Sequence, residues 1–410
     1  MNLSKKRWVI LAACCVANLC LGSIYAWSVF SSSMAEYLTG YLGREITSAD
    51  LAIVYTIANS VGPITMISGG WVNDKFGPKK VVLIGGIMFG LGMIISGFGT
   101  SISFLIVSYG LVTGLGLGMA YGCTISTAVK YFPDKRGLIG GVATAVYGLS
   151  SVIISPVISI VVKAMDAPFA FKSIGAVFLI LLVGCSFVIE RCPDGFVPDG
   201  WINSEQHQKK TGPTDKNWQE MLKTPVFYLM IFLLTCGAFS GMMVISQAAG
   251  IARQMVGMPV MAASAAVSIL SLFNVSGRIV AGYLSDRIGR VNTLLLACAL
   301  SVGGLLLLYT TSIGAVAAFY IGVSIVGICF GAFMGIFPGF TVDQFGAKYN
   351  SVNYGIMFIG FALAGYFGPS MMRSVYAADC AYQSAFLIAA GLSAVGIILA
   401  LVCRMVMKKK

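Results

Sequence analysis

The chain has 410 residues, of which 58% are hydrophobic and 10% are charged, and it carries a formal net charge of +12. This composition excludes a soluble globular protein and indicates an integral membrane protein. The positive charge does not indicate a nucleic-acid partner, because the sequence has no basic patch interleaved with aromatic residues. No nucleic-acid partner is therefore expected.

About twelve apolar runs follow in chain order, each long enough to cross a hydrocarbon layer of roughly 30 Å as a helix. The first run follows Lys5, Lys6 and Arg7. It is too long for the apolar region of a signal peptide, so we interpret it as a retained span. The predicted fold is therefore all-α, with spans at residues 8–35, 51–73, 81–99, 102–129, 137–162, 167–189, 225–250, 260–284, 291–311, 314–340, 351–372 and 380–403.

A polar segment rich in Pro, Gly, Asp and Lys separates the sixth run from the seventh. We interpret it as a cytoplasmic linker, 191–224, between two six-helix bundles at 1–190 and 225–410. The single histidine, His207, lies in this linker, where a solvated loop residue is a simpler interpretation than a ligand. The sequence shows no metal-ligand spacing, and no metal and no cofactor are expected.

The distribution of basic residues predicts the orientation of the chain. With the N-terminus inside, the cytoplasmic segments hold 21 Lys and Arg residues and the outer loops hold five. This bias follows the positive-inside rule. We therefore expect a multi-pass protein of the cell (inner) membrane, surrounded by the lipid bilayer, with both termini in the cytoplasm.

The two halves share a repeated element. "GGWVNDKFGPKK" follows the second run and "AGYLSDRIGR" follows the eighth, so Gly70 aligns with Gly282 and Asp74 with Asp286 at an offset of 212. An offset of about half the chain indicates internal duplication, which is typical of two-bundle transporters. The aspartates are either gating residues or ordinary helix-end charges that face the cytoplasm.

One arginine, Arg278, lies inside a predicted span, about five residues from its middle. A cation at that depth costs at least about 2.5 to 3.5 kcal/mol. Ser264, Ser268, Ser271 and Asn274 precede it at spacings of 3 or 4, which places all five side chains within one third of the helix circumference. Such a polar stripe is expected to face an aqueous cavity. The alternative is an arginine that stretches toward the interface.

The repeat indicates that the fold alone does not require this charge, because Arg278 aligns with Met66 and Asn274 with Gly62. A guanidinium without a carboxylate on its own helix face presents a planar set of donors suited to a carboxylate from outside. The expected partner is therefore a small organic anion.

Three tyrosines are candidates for the same site. Tyr121 and Tyr147 lie roughly 13 to 16 Å deep by helical rise, away from the interfacial belt where tyrosine is common. Tyr25 is similar, although a packing role is nearly as compatible with its position. Buried hydroxyl groups need hydrogen-bond partners, which a polar substrate could supply.

Several motifs together resemble the major facilitator superfamily and, within it, the oxalate/formate antiporter family, which handles small organic anions and is akin to the monocarboxylate transporters. They are the repeated element, "SIYAWSVF", "YFPDKRG", "FPGFTVDQFG" and "NYGIMF". The resemblance implies two bundles rocking around a central cavity, with Arg278 as the substrate-binding arginine and Tyr25, Tyr121 and Tyr147 as cavity tyrosines. It also implies a gating or conformational role for Gly70, Asp74, Lys75, Gly77, Gly282, Asp286, Arg287, Gly289 and Arg290.

The sequence departs from the family pattern at the predicted site. Oxalate-carrying members have a lysine in the eleventh helix that falls on Phe361 here, so a dianion would meet one charge instead of two. Proton-coupled monocarboxylate transporters often have an aspartate at the position of Asn274. The cavity aromatics of the tenth helix fall on Phe330 and Met334, which with Phe358 and Phe361 are expected to form apolar walls.

The sequence thus predicts a secondary active transporter of small monocarboxylates such as lactate, pyruvate or formate, which works by alternating access and as a monomer. Coupling is either anion exchange, slightly preferred, or symport with protons. The alternatives are a dicarboxylate antiporter of the oxalate/formate type and, from other classes, a passive anion channel or a transporter-like sensor. No enzyme is expected, because no nucleophile, metal cluster or acid/base pair occupies a membrane-facing position.

Overall fold

The computed structural model describes residues 3–48, 50–199, 201 and 215–408. All regular elements in these ranges are helices, and twelve are long and apolar enough to cross a membrane. They are α1 (Leu3–Leu42), α2 (Ala52–Phe76), α3 (Pro78–Ser96), α4 (Ile102–Lys130), α5 (Arg136–Ala164), α6 (Ala167–Val188), α7 (Pro225–Gln254), α8 (Val260–Ile288), α9 (Arg290–Tyr309), α10 (Val316–Phe345), α11 (Asn350–Asp379) and α12 (Gln383–Lys408). A short helix, Trp218–Leu222, precedes α7.

The twelve predicted spans agree with these helices, and the differences lie at the ends. Helix α1 continues past residue 35 to Leu42, where Gly43 adopts a left-handed conformation with φ of 63° and ends it. Helix α11 likewise continues past residue 372 to Asp379. An apolar run stops at the first polar residues, whereas a helix continues until a cap or a helix breaker ends it.

Three of the helices contain an irregular stretch. Helix α1 has a 3-10 turn at Gly22–Ala26, α4 has a π-helical segment at Ile106–Thr113, and α11 is interrupted at Phe358. Irregular turns inside helices reorient side chains and are frequent at functional positions. Two of these stretches carry predicted site residues, namely Tyr25 and Phe358.

The chain divides into two units. Unit 1 consists of Met1–Asp134, Val146–Asp215 and Gly346–Ile356. Its helices approach one another closely at glycines, since a Cβ at Gly118 of α4 would lie 2.1 Å from the carbonyl oxygen of Gly62 in α2. A buried hydrogen bond of 2.6 Å, from the Thr124 hydroxyl to Oδ1 of Asn18, joins α4 to α1. Small residues and hydroxyls of this kind hold helices together in lipid.

Unit 2 consists of Lys135–Ala145, Lys216–Phe345 and Met357–Lys410. Helix α8 packs against α10, where a Cβ at Gly331 would lie 2.1 Å from the carbonyl oxygen of Asn274. Buried hydroxyls connect α7, α9 and α12 through O–O distances of 3.2 Å between Ser240, Ser301 and Ser393. Unit 2 is therefore held by close glycine contacts and a short chain of hydroxyl groups.

Each unit includes a segment from the other half of the chain, because α5 and α11 both begin in one unit and continue in the other. The domain boundaries predicted from the linker, 1–190 and 225–410, follow chain order and stay a prediction. His207 lies outside the described residues, as does most of the predicted linker.

Substituting Gly118 by alanine should destabilise the protein, because the added methyl group would overlap the Gly62 carbonyl and separate α2 from α4. We expect a loss of about 1 to 3 kcal/mol in the free energy of unfolding. Gly184→Ala is the control, since a Cβ at Gly184 would meet nothing within 4 Å, and it should change stability by less than about 1 kcal/mol. Thermal unfolding of the purified variants checks this, and equal melting temperatures would contradict it.

Candidate functional site

Arg278 lies in α8 and is only 3% exposed. Its Nε donates a hydrogen bond of 3.1 Å to Oδ1 of Asn274, and its Nη1 donates one of 2.5 Å to the backbone carbonyl oxygen of Thr144 in α5. Within the described ranges, no carboxylate forms an ion pair with it. The guanidinium is thus held inside unit 2 by neutral acceptors, which disfavours an arginine that stretches toward the interface.

The polar stripe on α8 becomes more buried toward the arginine. Ser268 is exposed, Ser271 is half-buried, Asn274 is 9% exposed and Arg278 is 3% exposed. The side chain of Ser264, which begins the predicted stripe, lies outside the described residues. One face of α8 therefore carries a polar path from exposed positions to the guanidinium.

Glycines of two neighbouring helices bring backbone close to Arg278. A Cβ at Gly141 of α5 would lie 2.2 Å from the Arg278 carbonyl oxygen, and one at Gly335 of α10 would lie 2.4 Å from the same atom. Only glycine permits such approaches without a shift of the helices. These contacts explain how a side chain on α8 can reach the Thr144 carbonyl on α5.

The predicted apolar residues also belong to unit 2. Phe330 and Met334 lie one turn apart on α10 and are 3% and 6% exposed. The Phe361 ring is stacked at 6.3 Å from the Phe330 ring and lies 4.6 Å from the Phe358 ring, between centroids. The structure thus brings the three phenylalanines together, two of them from α11 and one from α10.

The three predicted tyrosines form a cluster in unit 1. The Tyr147 ring centroid lies 4.5 Å from that of Tyr121 and 5.2 Å from that of Tyr25. Tyr121 and Tyr147 are each 7% exposed, whereas Tyr25 is 36% exposed. The 3-10 turn of α1 contributes to this arrangement, because Gly22 lets it approach the Tyr147 backbone, where a Cβ would lie 2.2 Å from the carbonyl oxygen.

In unit 2, the repeated element caps the start of α5. Asp286 accepts hydrogen bonds of 2.9 Å from the backbone N–H groups of both Gly137 and Leu138. A carboxylate at this position satisfies free N–H groups and interacts favourably with the helix dipole. Gly282 allows the approach, since a Cβ there would lie 2.3 Å from the Gly137 carbonyl oxygen.

In unit 1, the first copy of the element holds the start of α11 in the same way. Asp74 accepts hydrogen bonds from the N–H groups of Ser351 and Val352 at 3.3 and 3.1 Å. It also pairs with Lys130 at 2.9 Å. A Cβ at Gly70 would lie 2.7 Å from the Ser351 backbone. Both predicted aspartates therefore cap a helix that begins in their own unit.

The remaining residues of the repeated element are two glycines that form the turn after the helix and two exposed cations. Gly77 and Gly289 have φ values of 88° and 94°, a backbone conformation that favours glycine. Lys75 and Arg287 are exposed and lie over aromatic rings of their own helices, Arg287 at 4.6 Å from the Tyr283 centroid. Among the described residues, the ion pairs of Asp74 and Asp286 are formed with Lys130 and Arg290, and not with these two cations.

The sequence prediction missed three charged residues of these clusters. Arg290, which was predicted, bridges Asp286 at 2.6 Å and Asp343 at 2.8 Å, and Arg136 pairs with Asp343 at 2.8 Å. Lys130 completes the cluster in unit 1. A signal was present, because Lys130 and Asp343 occupy equivalent positions in "KYFPDKRG" and "DQFGAKYN". Thr144 was also missed, and no residue pattern could have shown a backbone carbonyl.

Comparison with known proteins decides the family. The profile described as Major Facilitator Superfamily matches residues 16–369. The chain belongs to the major facilitator superfamily. The oxalate:formate antiporter of Oxalobacter formigenes is 30% identical over 388 residues, which are 94% of this chain and 88% of that protein. Monocarboxylate transporter 12-B of Danio rerio is 22% identical over 86% of this chain and 77% of its own length.

Among solved structures, the major facilitator superfamily transporter FucP, crystallised in the outward conformation, aligns with a TM-score of 0.71 at 14% identity, over 97% of this chain and 99% of that one. This likeness concerns the fold. The comparisons confirm the predicted all-α fold of two six-helix bundles and an oxalate/formate antiporter-like family. The protein is a multi-pass membrane transporter of a small molecule and not an enzyme.

Replacing Asp286 by asparagine should slow transport more than it weakens substrate binding, because the carboxylate caps α5 and lies apart from Arg278. We expect the counterflow rate in proteoliposomes to fall about five- to tenfold, in keeping with the loss of a charged helix cap. The dissociation constant should change less than the rate. Asp379→Asn, at an exposed carboxylate on the end of α11, is the control and should transport like the wild type. Equal losses in rate and affinity would argue against a gating role.

Proposed function

We propose that this transporter carries small monocarboxylate anions of the lactate, pyruvate or formate type by alternating access. The observation that carries the proposal is the buried Arg278, whose hydrogen-bond acceptors are the neutral oxygens of Asn274 and Thr144. A guanidinium always remains ionised, and its strongest partners are carboxylates and phosphates. A small anion would supply the negative charge that the described surroundings of Arg278 lack.

The other proposed substrate contacts in unit 2 are apolar. Phe330, Phe358 and Phe361 form a continuous aromatic group, and Met334 lies one turn from Phe330. An anion with one carboxylate and a short apolar tail matches one cation and such a wall. We include Asn274 in the site because it holds the Nε of Arg278, and Tyr25, Tyr121 and Tyr147 of unit 1 because of the family resemblance.

We propose anion exchange as the coupling mode, ahead of proton symport. Asn274 occupies the position at which a titratable aspartate would be expected in a proton-coupled relative, and an amide cannot take up a proton at physiological pH. The proposal also includes action as a monomer in the cell (inner) membrane, with both termini in the cytoplasm. The excess of Lys and Arg in the predicted cytoplasmic segments supports this orientation.

The second candidate is exchange of dicarboxylates such as oxalate. It is favoured by the similarity to the oxalate:formate antiporter of Oxalobacter formigenes. Phe361 opposes it, because an aromatic residue stands where a second cation would neutralise the second carboxylate. The two candidates differ in the charge of the substrate and are therefore distinguishable by ligand and by variant.

Arg278→Gln should abolish binding of lactate, because it removes the charge and the paired donors while keeping a polar side chain. We expect the affinity to fall about thirtyfold or more. The wild type should show counterflow, in which unlabelled lactate inside proteoliposomes accelerates uptake of labelled lactate. Arg253→Gln, at an exposed arginine on the end of α7, is the control and should bind normally. Unchanged affinity in Arg278→Gln, or steady conductance without counterflow in the wild type, would refute the proposal.

Phe361→Lys should create a response to oxalate, because it adds the second cation that a dianion requires. In a thermal-shift assay, we expect the wild type to be stabilised more by lactate than by oxalate and the lysine variant to show the opposite order. Phe361→Leu is the control, since it alters the ring without adding charge and should not gain the oxalate response. If the wild type responds to oxalate as strongly as to lactate, the second candidate is favoured and the role given to Phe361 is wrong.

A further inference from the structure

The first part of α5 belongs to unit 2, whereas the rest of the helix belongs to unit 1. Helix α8 binds this first part near both of its ends. Asp286 accepts a hydrogen bond from the N–H of Gly137, and Arg278 donates one to the carbonyl oxygen of Thr144. The unit boundary follows Ala145, one residue after Thr144. The bond from Arg278 therefore lies where α5 leaves unit 2.

The backbones of α5 and α8 are in direct contact between these two attachments. A Cβ at Gly137 would lie 2.3 Å from the Gly282 carbonyl oxygen, and one at Gly141 would lie 2.2 Å from that of Arg278. The hydroxyl of Thr144 donates a hydrogen bond of 2.8 Å to the carbonyl oxygen of Gly140 in its own helix. What Thr144 offers to Arg278 is therefore its backbone carbonyl and not its side chain.

We infer that Thr144 is a positioning residue whose carbonyl holds the Nη1 donor of Arg278 until a substrate carboxylate replaces it. The replacement would free α5 from α8 at the unit boundary and so link anion binding to movement of α5. This inference rests on the proposed function, because it requires the substrate to bind Arg278.

The chemistry of the acceptors favours this exchange. A carboxylate is a stronger acceptor for a guanidinium than a neutral carbonyl oxygen. The Thr144 carbonyl lies inside a helix, where it also accepts from the N–H four residues later, so the loss of Arg278 does not leave it without a partner. Asn274 can keep its bond to Nε, because the exchange concerns the Nη1 donor only. Replacement of the carbonyl by a carboxylate therefore costs little free energy, and the stronger acceptor favours the substrate-bound state.

The internal repeat contains the same attachment without the charge. In unit 1, Asp74 caps the start of α11, and a Cβ at Gly355 would lie 3.0 Å from the backbone of Met66. Gly355 follows the capped Ser351 by four residues, as Gly141 follows the capped Gly137, and Met66 aligns with Arg278. Since α2 holds α11 with a methionine at this position, helix packing does not need an arginine there. The arginine adds a bond that an anion can compete for.

Solid-state NMR on the full-length wild type can observe the carbonyl directly. Protein labelled with [1-¹³C]threonine and [¹⁵N]alanine gives two directly bonded pairs, because the sequence contains Thr–Ala only at Thr127–Ala128 and Thr144–Ala145. Saturating lactate should shift the Thr144 carbonyl resonance upfield, as a carbonyl does when it loses a hydrogen bond. The Thr127 resonance is the internal reference. Arg278→Gln assigns the signals, because its Thr144 resonance should already lie upfield and should ignore lactate.

A functional test weakens the same acceptor. Ala145→lactic acid replaces the amide after Thr144 by an ester, whose carbonyl is a weaker acceptor, and leaves the side chain unchanged. Ala143→lactic acid makes the identical change at the Val142 carbonyl, which does not bond to Arg278. We expect the first variant to bind lactate about three- to tenfold more tightly than the second, because its internal competitor is weaker.

The outcomes separate this inference from the proposed function. An upfield shift confined to Thr144, together with tighter binding only in the Ala145 ester, supports the inference. A Thr144 resonance that ignores lactate in the wild type, or equal lactate affinity in the two esters, overturns it, even where Arg278→Gln abolishes binding and the proposed function stands. Wild-type affinity in Arg278→Gln overturns the proposed function itself.

Discussion

The constraint on which the site depends is a permanent positive charge inside an apolar helix bundle. An unpaired charge in such surroundings is costly. The described part of the protein meets this cost without an ion pair, by aiming neutral oxygens of Asn274 and Thr144 at the guanidinium. Asn274 lies one turn away on α8 itself, whereas the Thr144 oxygen is within reach because Gly141 lets α5 contact the backbone of α8. The close packing of the helices therefore also supplies an oxygen that stabilises the charge.

The internal repeat shows which features serve the fold and which serve the substrate. Both copies of the repeated element place an aspartate on the first N–H groups of a helix that begins in the same unit. Lys130 and Asp343 occupy equivalent positions in the two halves but carry opposite charges. Lys130 pairs directly with Asp74, whereas Asp343 pairs with Arg290. The caps are therefore maintained by different ion pairs. The first half has no charge at the position of Arg278, because Met66 occupies it.

The sequence was sufficient for the spans, the duplication and the buried arginine, because each depends on side-chain type and spacing alone. Hydrophobic runs locate helices in lipid, and an arginine within a run such as that of Arg278 stands out by its cost. The helix ends were less predictable, since the end of α1 depends on the backbone conformation of Gly43. The partner of Arg278 on α5 could not be predicted, because every residue has a carbonyl group and only packing selects Thr144.

The neutral surroundings of Arg278 also bear on coupling. An aspartate in place of Asn274 would pair with the arginine one turn away, and a substrate anion would then have to displace a charge. With only amide and peptide oxygens as acceptors, the empty site keeps a net positive charge, and a monocarboxylate reduces it to zero. Moving a net charge through surroundings of low dielectric constant is unfavourable, so the loaded carrier should change conformation more readily than the empty one. A carrier that changes conformation readily only when loaded exchanges one anion for another. A bound dianion would instead leave a net negative charge in the site, which Phe361 cannot neutralise.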